Sequence, residues 1–244
     1  MKNFLIVILV IVITGTIAFF IVDEPFPEGK AGPDAEALAE DMLNAINYEA
    51  WEKIPIVAWS FRDAHFYVWD KKNQVSQVKW EDYEAVIDLN NITGRVTKSG
   101  EPLEGAELNE AVATAWAYFC NDSFWLNAPA KVKDPGTIRK IVAAEDGSQQ
   151  LLVQYESGGV TPGDAYLWKL DENYLPTSYK MWVSIIPIGG TEATWEDWVE
   201  KKGAMISTQH EIGPLEVPIG NLEFGESPED FGLAKDYFTA LKQK

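Results

Sequence analysis

Residues 119–136 read FCNDSFWLNAPAKVKDPG, and the fold turns on what this stretch is. Asn121, Asp122 and Ser123 carry short polar side chains of the kind that satisfy backbone groups where a helix ends. Pro129 cannot continue a helix, because it lacks the N–H and its ring collides with the preceding turn. Between them, Phe124-Trp125-Leu126 is an apolar triplet too large to leave in water. Asp134-Pro135-Gly136 is a turn: an acceptor side chain, a preset φ, then a glycine free to take a positive φ. The stretch reads as a packing junction between a helix and a run of strands. Asp122 falls to capping or turn duty in this reading rather than acting as a lone functional carboxylate.

Working back from the junction, residues 107–120 place Leu108, Val112, Ala115, Trp116 and Phe119 on one helical stripe. Residues 34–50 predict an earlier helix with Ala35, Leu38, Ala39, Met42, Ala45 and Ile46 on its apolar face. Between the two helices, residues 54–70 alternate with period two. Val57, Trp59, Phe61, Asp63, His65, Tyr67 and Trp69 share one face, which predicts one long strand with a nearly all-aromatic side. Two further strands, near 75–80 and 83–89, and a short polar edge at 95–98 follow.

Forward of the junction the pattern is strands: 137–143, 150–156, 164–170, 174–184, 192–199, 204–211 and 215–224, the first pair joined by Asp146-Gly147. Ser227-Pro228-Glu229-Asp230 then predicts a final helix with Phe231, Ala234, Phe238 and Leu241 buried. Short connections favour antiparallel neighbours. The expected fold class is α+β: one large, curved antiparallel sheet of about nine to eleven strands, a half-open barrel with helices on its concave face.

The first 22 residues stand apart. Phe4–Val22 is almost unbroken apolar sequence; as a helix at ~1.5 Å per residue it spans roughly 28 Å, close to a bilayer's hydrocarbon core. No small-residue cleavage site follows it, and Lys2 precedes it, so an uncleaved signal anchor with its amino end in the cytoplasm is favoured over a long cleaved signal. The domains expected are 1–22 as anchor, 23–33 (DEPFPEGKAGP) as tether, and 34–244 as a single extracytoplasmic, periplasmic-side domain. Cleavage would make it a secreted one. Cys120, the only cysteine, allows no disulfide and lies too far along to lipidate the amino end.

The chain carries a net charge of −18, and every acidic residue lies beyond position 22. Such a field repels phosphate backbones, which excludes nucleic acid as a partner and gives solubility. Ten tryptophans imply a large core, an aromatic-lined cavity, or both. Two histidines are a thin supply for a metal site, and no metal or cofactor is expected. His65 and His210 would need a carboxylate and a nucleophile in one cleft to support hydrolysis. There is neither a G-x-S-x-G elbow nor a phosphate-cradling glycine loop, so the chain reads as a non-enzyme.

Asn121-Asp122-Ser123-Phe124-Trp125-Leu126, then Pro129, Lys131 and Asp134-Pro135-Gly136, resemble an uncharacterised family of exported bacterial proteins with the pattern N-D-x-[FY]-W-L-x-x-P-x-K-x-x-D-P-G. The opening with Trp51, Trp59 and Trp69-Asp70 is similar too, so the likeness covers residues 34–225. That layout is similar to the LolA and LolB lipoprotein carriers, half-open barrels whose cavity shelters acyl chains. This chain departs from both in having neither a clean cleavable signal nor a lipidated cysteine. The resemblance implies a lipid or acyl-chain ligand, with Trp59, Phe61, His65, Tyr67, Trp69, Trp116, Trp125, Tyr166 and Trp168 as candidate ligand-binding residues. The alternative is a filled core in an envelope scaffold that works through a protein partner.

Overall fold

The computed structural model describes residues 23–157 and 161–239. The anchor expected at 1–22 and the last apolar position of the expected final helix, Leu241, lie outside these residues. Among the described residues no helix is long and apolar enough to cross a membrane. The architecture is antiparallel and sheet-rich with few helices, and neither sheet closes on itself. Where one sheet of nine to eleven strands was expected, the described residues form fourteen strands in two sheets. The order is β12 (Glu196–Lys201), β13 (Ala204–Ile212), β14 (Leu215–Gly225), β1 (Ile56–Phe61), β2 (His65–Asp70), β3 (Val75–Trp80), β4 (Tyr83–Asp88), β5 (Thr93–Lys98) and β6 (Glu101–Pro102) in one, and β11 (Thr191–Thr194), β10 (Pro176–Trp182), β9 (Ala165–Leu170), β8 (Gln149–Tyr155) and β7 (Thr137–Ala143) in the other. Each sheet belongs to its own compact unit: Asp41–Lys131 with Trp195–Lys244, and Met1–Glu40 with Val132–Thr194.

In the first of these units the expected long strand is a hairpin, β1 (Ile56–Phe61) and β2 (His65–Asp70). Arg62 and Asp63 turn the chain at φ 52° and 51°. The Asp63 carboxylate accepts a hydrogen bond from Ser60 Oγ at 3.1 Å. The register pairs Trp59 with Tyr67, Val57 with Trp69 and Phe61 with His65. A loop of three residues, 62–64, preserves parity, so the period-two pattern runs through the turn without a break. The alternation therefore marks a shared face correctly and says nothing of the reversal.

Strands β3 (Val75–Trp80), β4 (Tyr83–Asp88) and β5 (Thr93–Lys98) extend the ladder, and β14 (Leu215–Gly225) pairs with β1 on its other side. Helix α3 (Gly105–Asn127) packs on the ring-bearing face through Phe119. The opposite face holds Ile56, Val75 and Val86, and there the carboxyl-terminal segment lies, with Phe238 buried among them and Phe231, Leu233 and Tyr237 around it. That segment is one short 3-10 turn, Pro228–Phe231, with a Ser227–Asp230 capping box, and not the expected helix. Tyr237 Oη donates to Glu84 Oε1 at 2.7 Å and also lies 2.7 Å from Gln77 Nε2, which ties the segment down.

The predicted first helix is two, α1 (Pro33–Ala45) and α2 (Tyr48–Lys53). They are split at Asn47, which takes φ 50° and donates from Nδ2 to the Gly203 carbonyl at 2.9 Å. Asparagine tolerates the left-handed region better than most residues, so the helix stops there.

In the second unit β7 (Thr137–Ala143), β8 (Gln149–Tyr155), β9 (Ala165–Leu170), β10 (Pro176–Trp182) and β11 (Thr191–Thr194) form a meander. The predicted tether is not free. Glu24 N donates to Gly189 O, and Lys30 exchanges two backbone hydrogen bonds with Ile141 at 2.9 Å each. Trp182 Nε1 donates to Glu24 O at 2.9 Å, and Lys180 pairs with the Glu24 carboxylate at 2.6 Å. The segment crosses the face that carries Leu152, Ala165, Leu167, Val142 and Trp182.

Candidate functional site

Three rings on one face of the nine-stranded sheet begin the site. Trp59 stacks on Tyr67 at 4.4 Å, and Trp69 stands edge-on to Trp59 at 6.4 Å. Helix α3 covers them with Phe119, 5.3 Å from Trp69 and 6.3 Å from Trp59, and Trp116 stacks beside Phe119. Offset and edge-to-face pairs of this kind are the favoured ring geometries. The sheet side of the layer is deeply buried, yet the indole N–H groups of Trp59 and Trp69 have no acceptor among the described residues.

At the end of the layer the rings give way to a titratable cluster. His65 Nδ1 lies 2.7 Å from Asp122 Oδ2, Tyr67 Oη donates to the same oxygen at 2.5 Å, and Asn121 Nδ2 donates to Oδ1 at 2.7 Å. The Asp122 side chain is 1 % exposed. Three donors around a buried carboxylate replace the water it has lost. Burial, then the neighbouring carboxylate, pushes the Tyr67 hydroxyl far above its ordinary pKa, so Tyr67 stays a donor at any physiological pH. His65 is 19 % exposed, stacked on Tyr118 at 4.0 Å and on Phe61 at 6.3 Å. With Nδ1 committed to Asp122, Nε2 is the nitrogen left to meet a solute.

The expectation that Asp122 caps a helix is corrected here. Helix α3 runs past Cys120 to Asn127, with a 3-10 turn, Ala128–Lys131, after it. The proline at 129 stops the helix only at the residues just before it, so Asn121, Asp122 and Ser123 sit inside the helix. Asp122 then lies four residues after Tyr118, on the stripe that faces His65 and Tyr67. That spacing was the signal for a partner to His65, and it disappears once the helix is ended at Cys120. Burial pushes the Cys120 thiol up to about 12, which removes it as a nucleophile.

The nine candidate binding residues are distributed over both sheets and helix α3. Trp59, Phe61, His65, Tyr67, Trp69 and Trp116 gather at the layer just described. Trp125, on the same helix, lies instead against His210 of β13 (Ala204–Ile212) at 5.4 Å. His210 is fully buried and also meets Trp195 at 4.4 Å. Tyr166 and Trp168 belong to the five-stranded unit, where both stand edge-on to Tyr179, at 5.0 and 4.9 Å. Alternation put the strand residues among these on aromatic faces but could not say that the faces belong to different sheets. No cluster of three or more His, Cys, Asp or Glu suited to a metal ion occurs among the described residues.

No family profile matches the chain, and no curated protein does. Among solved structures, a crystal structure of a DUF1329 family protein from Desulfovibrio piger aligns with a TM-score of 0.42 and 9 % identity. The alignment covers 86 % of this chain and 100 % of that one.

Proposed function

We propose that the chain is a membrane-tethered protein of the periplasmic side that binds a lipid or another hydrophobic ligand at the ring layer of its nine-stranded unit, without catalysis or a cofactor. One observation carries this reading: the two indole N–H groups, Trp59 Nε1 and Trp69 Nε1, buried in one apolar layer with no acceptor among the described residues. A buried donor left unpaired costs about 1–3 kcal/mol. The ester or amide carbonyl of an amphiphile would relieve that cost, while its chain gains ~25 cal/mol for each Å² it buries against the rings. Phe4–Val22 has the length and composition to hold the protein at a bilayer where such ligands are found.

Native mass spectrometry of the full chain, released from nanodiscs, tests the reading. Wild type is expected to retain an adduct of lipid mass after loosely held lipid has been stripped. Trp59→Phe with Trp69→Phe, which keeps the rings and removes the donors, is expected to lose it. A wild-type chain without any adduct overturns the proposal in favour of a filled-core module that works through an envelope protein.

The pairing of His65 with buried Asp122 favours a second reading, acid–base chemistry at Nε2. Trp59→Phe with Trp69→Phe separates the two, since it loses the lipid adduct under the first reading and leaves the His65–Asp122 pair, and any turnover it supports, in place under the second.

A further inference from the structure

We infer that the β10–β11 loop, residues 183–190, is a membrane-contact loop that seats the five-stranded unit on the headgroup–acyl boundary of a zwitterionic bilayer. Ile185 is 71 % exposed, the most exposed of the large apolar side chains in the described residues. It belongs to the run Ile185-Ile186-Pro187-Ile188, which is apolar throughout. Hydrogen bonds hold this run in place. Gly190 N donates to Met181 O at 3.0 Å and Ile186 N to Val183 O at 3.1 Å, closing the base, and Ser184 N donates to Asp164 Oδ1 at 3.0 Å. An ordered loop that presents isoleucine to water calls for a partner.

The partner is identified by what the loop is fastened to. Gly189 N donates to Asp23 Oδ1 at 2.8 Å, and Glu24 N donates to Gly189 O at 3.0 Å. Asp23 directly follows Val22, the last residue of the apolar run long enough to span a bilayer. The loop therefore cannot lie far from where that run leaves the hydrocarbon. Phe26, 44 % exposed, stands edge-on to Trp182 at 5.8 Å, which adds to the same patch the aromatic rings that favour the membrane–water interface.

Charge narrows the lipid. Lys180 is paired with Glu24. The carboxylate of Asp23 is engaged by the loop, and that of Asp164 by Ser184 and Thr161. No basic residue occurs in 183–190 to attract anionic headgroups. Contact is apolar, so a zwitterionic surface suits it.

The inference rests on the membrane-tether reading above, and the test separates the two. The full chain carrying Cys120→Ala and Ile185→Cys is spin-labelled in phosphatidylcholine–phosphatidylethanolamine proteoliposomes. Glu172→Cys, at the exposed β9–β10 turn on the opposite end of the same sheet, is the reference. The label at 185 is expected to collide several-fold less with a water-soluble nickel chelate than the label at 172, and more with oxygen. Equal chelate collision at both sites, in chains that alkaline carbonate leaves in the membrane, overturns the loop contact and spares the tether. Extraction of the full chain by carbonate overturns the tether, and the loop inference with it.

Discussion

Asp122 gathers three polar side chains around one buried carboxylate, and it does so from the middle of a helix. Its carboxylate is the common acceptor for His65, Tyr67 and Asn121. Asp122→Ala leaves Tyr67 Oη unpaired in a buried position and releases His65 from its fixed orientation. Stranding such groups costs about 1–3 kcal/mol each, so urea denaturation is expected to show a loss of about 3 kcal/mol. Asp122→Asn keeps one acceptor oxygen and is expected to lose roughly half as much. Equal, negligible losses for both variants would mean that the cluster has no energetic role.

At the level of elements, the covering of both faces explains why the nine-stranded sheet holds its register. Helix α3 occupies the ring face, and the carboxyl-terminal segment occupies the other. Phe238 is only 1 % exposed beside Ile56, Val75 and Val86, although no helix supports it. Phe238→Ala opens a cavity in that cluster and is expected to lower stability by about 3–5 kcal/mol in equilibrium unfolding. A loss below about 1 kcal/mol would show the segment to be an ornament of the sheet. Elements were also where the sequence was least legible. A three-residue loop that preserves parity disguised a hairpin as one strand, and Asn47 divided an amphipathic stretch whose apolar stripe gave no sign of a break.

Across the whole molecule, buried phenols set the response to alkali. Tyr67, Tyr155, Tyr166, Tyr179 and Tyr237 are all raised above the ordinary tyrosine value, with burial the largest cause in each. The unfolded chain releases these protons near pH 10, whereas the folded chain keeps them. Above pH 10 the unfolded state therefore binds fewer protons, and stability falls as pH rises. Each such phenol contributes up to ~1.4 kcal/mol per pH unit. Denaturation between pH 9 and 11 is expected to show a break near 10, with a shallower slope in Tyr67→Phe. A chain equally stable across that range would place these hydroxyls in water.

By itself the sequence determined which positions share a face, that strands dominate, that the expected strands are antiparallel, and that an apolar run precedes an acidic domain. These follow from period-two and 3.6-residue patterning and from charge, which are local properties of a chain. Only the tertiary structure decided that the strands divide between two sheets, that residues 23–30 are laid across one of them, and that His65 meets Asp122. Each of these depends on contacts between segments far apart in sequence, and such contacts leave no periodic trace in the segments they join.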